Sequence, residues 1–282
     1  LLVSSGPEQP QMERWLQRQL SVDGERLQTL RQRLWADIPW QRTDRVLILG
    51  GRSLLWSLDP LGAVAEGGLT ILCSSSTEQL RLEAQLQLLD PLNQPVVLTE
   101  IEELEQLSPQ HKFEVVGGRL NQEDLNASEL EQFWGHVSSH STSGTQLRLL
   151  LSEPQLGPAG GLLELLMNEE EPHKPSSSLQ TLIELESVWL SQAELRQRLL
   201  SCLEQFGWVV NQISWQESLK LSIESNLIER WLGENRPYRK AIENSGEVSA
   251  NALPELRREL LQQRGRRLPQ SLRHWRIEGR LA

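Results

Sequence analysis

Cysteine is scarce in this chain, and long apolar runs are missing. The two cysteines, Cys73 and Cys202, lie too far apart for a metal-binding or redox spacing. This usage is typical of a reducing compartment, and we expect a cytoplasmic protein. No apolar run approaches the length that spans a bilayer, and residues 1–4 are too short for a signal peptide. The sequence therefore predicts no membrane association.

Several catalytic signatures are also missing. The chain has no Gly-Lys-Ser/Thr phosphate loop, so we expect no ATP hydrolysis by this segment. It has no Gly-x-Ser-x-Gly nucleophile elbow. His136 and His140 are four residues apart on a predicted helix, but no third ligand accompanies them, so capping or solvation is favoured over a metal site. These patterns predict no catalytic residue and no metal ligand.

Charge is divided unevenly along the chain, whose net charge is −10. Residues 1–229 carry −16 and residues 230–282 carry +6. An acidic body repels phosphate backbones, whereas a basic tail attracts them. The candidate nucleic-acid contacts are Arg264, Arg266, Arg267 and Arg273. The alternative is that the tail packs on the acidic body and caps the sheet.

Four segments are predicted from composition and periodicity. Residues 1–10 read as a linker, 11–40 as an N-terminal helical lead, 41–232 as the main domain and 233–282 as a basic C-terminal helical extension. Because the first residue is Leu, we expect a segment of a longer protein or a processed chain. Short apolar runs predict strands at 45–49, 69–73, 95–99, 113–117 and 147–152. Helices are expected between them at 53–64, 77–89, 100–107 and 126–138.

This alternation predicts a mostly parallel sheet with helices on both faces. Two further strand candidates, Trp208–Trp215 and Leu219–Ile223, are separated only by residues 216–218. Such a short connection is typical of an antiparallel hairpin. We therefore predict an α/β, Rossmann-like sheet of about seven strands that ends in an antiparallel hairpin. Over roughly residues 40–225 this order resembles the class I S-adenosylmethionine-dependent methyltransferases.

A glycine turn follows the first predicted strand. Gly50, Gly51, Ser53 and Ser74 are the candidate cofactor-binding residues, because glycines let a ligand approach the backbone and the next helix offers N–H groups. The alternative is that the glycines only permit a tight turn.

The resemblance implies an acidic residue after each of the first two strands. Arg52 and the run Cys73-Ser74-Ser75-Ser76 stand there instead. An active site would therefore need a carboxylate, or an equivalent set of acceptors, within reach of Gly50-Gly51. If Asp59, Glu66 or Glu153 folds into that pocket, the active enzyme is favoured.

A closer resemblance rests on longer runs: 45–72, 86–98 and 113–120, with the tail motifs Arg230-Trp231, Pro237-Tyr238 and Leu268-Pro269-Gln270. These are similar to the C-terminal domain of cyanobacterial fusion proteins that join a RarA/MgsA-type AAA+ recombination ATPase to a methyltransferase-like domain. The resemblance implies that the parent chain acts in DNA replication, recombination and repair. It also implies that the AAA+ domain of the same chain is a partner, and that any oligomer forms through the parent.

Three functional hypotheses follow. The favoured one is a non-catalytic, methyltransferase-like interaction or regulatory module beside the AAA+ ATPase. The alternative is an active S-adenosylmethionine-dependent methyltransferase with a divergent cofactor site. The third is a nucleic-acid-binding appendage that works through the basic tail, and it predicts salt-sensitive DNA binding.

Overall fold

The computed structural model describes residues 24–107, 111–121, 130–168, 177–191 and 193–282. The chain divides into two compact units. The first comprises Leu1–Leu151, Leu195–Ile213 and Trp275–Ala282, and the second comprises Ser152–Glu194 and Ser214–His274. The predicted linker 1–10, most of the helical lead and the predicted helix start near Asn126 lie outside the described residues.

Seven strands form one sheet in the order β3-β2-β1-β4-β5-β7-β6. Neighbouring strands from β3 through β5 pair in parallel. The strands are β1 (Arg45–Leu49), β2 (Gly68–Leu72), β3 (Val96–Leu98), β4 (Phe113–Arg119), β5 (Ser141–Pro154), β6 (Trp208–Ser222) and β7 (Arg267–Leu281).

Ten helices accompany these strands in the described part of the chain, together with three short 3₁₀ segments (Leu54–Ser57, Pro91–Asn93 and Ile101–Gln106). No described helix combines the length and the apolar character needed to cross a bilayer. The helices are α1 (24–34), α2 (Leu58–Ala63), α3 (Ser76–Leu86), α4 (Leu130–Ser139), α5 (Pro158–Met167), α6 (Ser177–Leu190), α7 (Ala193–Gln205), α8 (Ser225–Leu232), α9 (Pro237–Ser245) and α10 (Ala252–Gln262).

The strand β1 is the centre of the first unit. Val46 through Leu49 are all buried, as expected for a strand that has parallel neighbours on both sides. On the β4 side, a Cβ atom at Gly118 would lie 2.1 Å from the carbonyl oxygen of Leu49. Glycine at that position therefore allows β4 to approach β1 closely.

The fold class predicted from the sequence is confirmed. The sheet is Rossmann-like, with a core of parallel strands and a C-terminal antiparallel strand pair. Gly207 and Ile223 flank β6, and they form backbone hydrogen bonds with residues that flank the opposite ends of β7. The N–H of Ala282 donates to the carbonyl of Gly207 at 3.0 Å, and the N–H of Ile223 donates to that of Arg266 at 2.9 Å.

The residues that form this antiparallel pair were predicted wrongly. Trp208–Trp215 and Leu219–Ile223 do not form a hairpin, because residues 216–218 continue a single strand, β6. Exposed Gln216 and Ser218 alternate there with partly buried Glu217. Gln216 and Ser218 thus belong to the exposed face of an edge strand and not to a turn.

The basic C-terminal extension is also not helical throughout. Helices α9 and α10 form within 233–282, but Arg267–Leu281 is the strand β7 between β5 and β6. Leu268, His274 and Ile277 are fully buried in this strand, which pairs with neighbours on both sides in spite of its many arginines. The predicted domain boundaries themselves stay a prediction.

In the second unit, one buried carboxylate caps a helix. The Glu186 carboxylate accepts hydrogen bonds from the N–H groups of Ala159 (2.5 Å) and Gly160 (2.8 Å) at the start of α5, and from the Tyr238 hydroxyl (2.8 Å). Only 2% of Glu186 is exposed. A Cβ atom at Gly157 would lie 2.5 Å from this carboxyl group, so the glycine makes room for it.

Replacing Glu186 with Ala is expected to lower the free energy of unfolding by about 3 kcal/mol, because it leaves several buried donors without an acceptor. Urea unfolding followed by tryptophan fluorescence measures the change. The control is Glu184→Gln, an exposed position on the same helix, which should stay within about 0.5 kcal/mol of wild type. Equal losses in both variants would contradict the capping role.

Candidate functional site

The first unit contains a cavity of about 390 Å³ at the carboxyl ends of its parallel strands. This is the edge at which open α/β sheets bind ligands, next to the point where the strand order reverses between β1 and β4. Most of its wall is apolar, and its polar lining comes from the loops that follow β1, β2 and β3 and from the start of α3. The apolar residues include Leu49, Leu72, Leu120, Leu130, Phe133 and Trp134, and the polar ones are Arg52, Ser74, Ser75, Glu78 and Thr99.

The Glu78 carboxylate is the central polar group of this cavity. One of its oxygens, Oε2, accepts from the N–H groups of Gly51 (3.1 Å) and Ser74 (2.9 Å). The other, Oε1, accepts from Nε of Arg52 at 2.7 Å. Its side chain is only 8% exposed. One carboxylate therefore joins the loop after β1 to the loop after β2.

The start of α3 explains why Glu78 points to this place. Ser75 is the N-cap residue, and its hydroxyl accepts from the N–H of Glu78 at 3.3 Å. In a capping box the glutamate three residues on turns back toward the N-cap. Here Glu78 turns back one residue further, to Ser74, and also reaches Gly51. Its negative charge is favourable at the N-terminus of a helix.

Two of the four predicted cofactor residues, Gly50 and Ser74, line the cavity. Gly51 is packed against the protein, since a Cβ atom there would lie 2.2 Å from Sγ of Cys73. The Ser53 hydroxyl accepts from the N–H of Leu55 at 3.2 Å and caps a short 3₁₀ helix. The assignment of these four residues to a cofactor stays a prediction.

The three carboxylates that were considered for the pocket have other positions. Asp59 pairs with Arg31 at 3.0 Å, and Glu66 pairs with Arg42 at 2.9 Å. Glu153 belongs to the second unit. Glu78 was not considered, although the Ser75–Glu78 spacing directly after β2 is a capping-box signal in the sequence. That signal marks a helix start, and it does not reveal a contact with the β1 loop.

Other polar groups of the first unit also form contacts within the protein. Arg119, the last residue of β4, stacks over the ring of Trp56, with its guanidinium carbon 5.2 Å from the ring centroid. His136 lies 3.3 Å from Glu105, and His140 bonds to the carbonyl of His136. Over the described ranges, no group of three or more potential metal ligands occurs.

Cys73 lines the cavity as a neutral thiol. Burial, followed by the nearby charges of Glu78 and Glu83, raises the pKa of Cys73 to about 11. The nucleophilic form of cysteine is the thiolate. At neutral pH the thiol therefore contributes packing against Gly51 and no nucleophile.

Comparisons with known proteins bear on the fold alone. No protein-family model matches the chain, and no curated protein matches it. The YcgJ protein of Bacillus subtilis is 12% identical, with 91% of this chain and 97% of that chain covered and a TM-score of 0.49. Geranyl diphosphate C-methyltransferase of Streptomyces coelicolor A3(2) is 10% identical (99% and 88% covered, TM-score 0.46). Precorrin-6y C5,15-methyltransferase of Geobacter metallireducens GS-15 is also 10% identical (89% and 86% covered, TM-score 0.44).

The Glu78→Gln substitution is expected to speed alkylation of Cys73 in the folded protein, because it removes a negative charge that disfavours the thiolate. A pKa of about 11 in place of 9.0 lowers the thiolate fraction about a hundredfold near pH 8. Mass spectrometry after timed exposure to iodoacetamide measures the rate. Cys202 is the internal control, because Glu131, and not Glu78, is the carboxylate that raises its pKa. An unchanged Cys73 rate, or an equal rise at Cys202, would contradict the prediction.

Proposed function

We propose that this chain is a methyltransferase-fold module without methyl-transfer activity, which serves as an interaction or regulatory domain. The observation that carries the proposal is the position of Glu78. A dinucleotide or nucleoside cofactor at this edge of the sheet uses the backbone N–H groups of the strand-end loops. In this chain the N–H groups of Gly51 and Ser74 donate to Glu78 instead.

The charges around the cavity also disagree with the cofactor. S-adenosylmethionine is cationic at sulfur, and the fold class implies two acidic residues to complement it and its ribose. The Glu78 carboxylate in this cavity is paired with the guanidinium of Arg52 at 2.7 Å. The local charge is thereby balanced without a ligand. The residues present therefore do not fit S-adenosylmethionine in the arrangement that the fold class implies.

An external ligand would have to displace Glu78 from its three donors. A hydrogen bond to a charged group contributes about 1.5–3 kcal/mol to stability. A displaced carboxylate would also need new hydrogen-bond partners to replace these donors. Glu78 therefore favours a closed site over a bound cofactor.

A partner for such a module follows from the sequence resemblance to RarA/MgsA-type fusion proteins. In that setting the module would lie beside an AAA+ ATPase that acts in DNA replication, recombination and repair. In this module the sheet is complete, and the Glu78 side chain occupies the N–H groups of the loops at which a cofactor would bind. Such a module suits a role in binding a partner. The AAA+ domain is accordingly the proposed partner.

The second candidate function is an S-adenosylmethionine-dependent methyltransferase with a divergent site. The observation in its favour is the cavity itself, because about 390 Å³ lies within the size range of small-molecule pockets. Ser74 and Ser75 offer hydroxyl groups there, although these bind a ribose less strongly than a carboxylate does.

Calorimetric titration of the chain with S-adenosylmethionine and S-adenosylhomocysteine separates the two functions. We expect neither heat nor a thermal shift at millimolar ligand, because Glu78 holds the donors that the ligand needs. Titration of Glu78→Gln tests whether that carboxylate takes part in any binding. Glu66→Gln is the matched control, since it removes a surface carboxylate that pairs with Arg42.

Micromolar binding by the wild-type chain that is lost in Glu78→Gln and kept in Glu66→Gln would overturn the non-catalytic proposal. It would establish Glu78 as a ligand-binding carboxylate and support the methyltransferase. Micromolar binding that survives Glu78→Gln would also overturn the non-catalytic proposal, because the Glu78 carboxylate would then not prevent the cofactor from binding.

The proposed partner is tested separately. We expect the chain to bind a purified RarA-type AAA+ domain and to change its DNA-stimulated ATPase rate when it is added in trans. Size-exclusion chromatography measures the complex, and a coupled assay measures the rate. Absence of both effects would contradict the partner while leaving the pocket titration unaffected.

A further inference from the structure

The arginines that the sequence suggested as nucleic-acid contacts do not share one face. Arg266 lies opposite buried Ile223, because its carbonyl accepts from the N–H of that residue. Arg267 and Arg273, at odd-numbered positions of β7, have the opposite orientation, and Arg264 lies in the turn before the strand. Their assignment to a nucleic acid stays a prediction. The buried middle of β7 has a more definite arrangement.

A serine, a histidine and a glutamate form a continuous chain of hydrogen bonds in the second unit. Oγ of Ser152 lies 2.9 Å from Nδ1 of His274, and Nε2 of His274 lies 2.8 Å from Oε2 of Glu217. The three residues come from neighbouring strands of the sheet, in the order β5-β7-β6. The two bonds use opposite nitrogens of one imidazole ring, which therefore connects a hydroxyl group to a carboxylate.

The chemistry of the carboxylate determines the direction of both bonds. An ionised carboxylate only accepts, so Nε2 of His274 carries the hydrogen that Glu217 receives. In the neutral imidazole the other nitrogen, Nδ1, is then an acceptor, and the Ser152 hydroxyl donates to it. A serine that donates to an imidazole, which in turn donates to a carboxylate, is the arrangement that activates a serine nucleophile.

The surroundings hold the imidazole in this orientation. The His274 side chain is fully buried, and the ring of Trp215 stacks on it, with ring centroids 5.3 Å apart and an interplanar angle of 29°. The backbones next to Ser152 and His274 are joined three residues away, where the N–H of Gln155 donates to the carbonyl of Ser271 at 2.7 Å. The base is therefore oriented before any substrate arrives, which favours reaction.

Ser152 lies where a ligand can approach. It is partly exposed, in contrast to His274, and it is two residues from the end of β5. Because β5 runs parallel to β4, Ser152 is at a carboxyl end of the parallel strands, the edge at which open α/β sheets bind ligands. The hydroxyl group thus combines partial exposure with a base that is shielded from water.

We infer that Ser152 is a nucleophile for acyl transfer from small carboxylic esters, with His274 as its general base and Glu217 as a positioning residue. The Ser152 oxygen forms a bond to the ester carbonyl carbon, and its proton passes to Nδ1 of His274. The tetrahedral intermediate then expels the alcohol, which takes that proton, and leaves an acyl ester on Ser152. Water hydrolyses this ester by the same route, so the cycle is balanced without an oxidant or a reductant. This activity is additional to the proposed binding role.

A structural role accounts for the same bonds in a different way. A buried imidazole needs partners for both of its nitrogens, and Ser152 and Glu217 supply them. A structural serine, however, reacts no faster than other serines of the chain. Ser139 is the internal standard, because it is exposed and its hydroxyl lies 3.1 Å from Nδ1 of His140 but donates to the carbonyl of His136 at 2.8 Å.

Timed exposure of the full chain to p-nitrophenyl acetate, followed by acid quenching and peptide mapping, tests the inference. We expect an acetyl group on Ser152 and none on Ser139 over the same period. Glu217→Gln should slow acetylation of Ser152 at least about tenfold, because the amide oxygen still accepts from Nε2 but lacks the charge that stabilises the imidazolium. The matched control is Glu224→Gln, just beyond β6, which should leave the rate unchanged.

Absence of an acetyl group on Ser152, or equal acetylation of Ser139, would overturn the inference. An unchanged rate in Glu217→Gln would also overturn it, because a structural chain of hydrogen bonds does not need the charge. Circular dichroism shows whether each variant is folded, and Ser152→Ala repeats the test without altering a charge. Its initial release of p-nitrophenolate should fall to the background rate, and release equal to that of the wild type would contradict the assignment. These results are independent of the cofactor titration, which measures the cavity of the first unit.

Discussion

A buried carboxylate that bridges two strand ends is the interaction on which the first unit depends. Glu78 satisfies the N–H groups of Gly51 and Ser74 and holds Arg52, so it connects β1, β2 and α3 at one point. Without it, buried donors at the carboxyl ends of two central strands would need water or a ligand. The second unit uses the same device, because Glu186 occupies the N–H groups at the glycine-rich start of α5.

The central parallel strands could be predicted from the sequence because each is a continuous apolar run. Arg45–Leu49 is the clearest case, since four of its five residues are buried. The C-terminal strands carry weaker signals. In β6 the polar stretch 216–218 resembles a turn, and in β7 the arginines resemble a basic arm. Alternation with a period of two was present in both, but edge position and cross-strand pairing, which decide the outcome, are tertiary properties.

The candidate site was predictable only in part, for a related reason. A glycine turn after a strand predicts a backbone that something approaches closely, and Gly50 does line the cavity. The sequence does not say whether a ligand or a side chain makes that approach. Gly51 packs on Cys73, and its own N–H donates to a glutamate 27 residues further along the chain. Contacts of this separation follow from the fold and not from local spacing.

How such a site can act depends on whether a side chain of the protein or a free cofactor accepts from its backbone N–H groups. An intramolecular carboxylate is present at high effective concentration and loses little freedom on binding, because α3 already holds its backbone. A free cofactor loses translational and rotational freedom and must also displace a buried ion that Arg52 neutralises. Loss of the Arg52 contact would leave the charge of Glu78, whose side chain is only 8% exposed, without its partner. In the proposed function, a sheet closed in this way would keep its rigidity and would bind partners through its surfaces and not through its pocket.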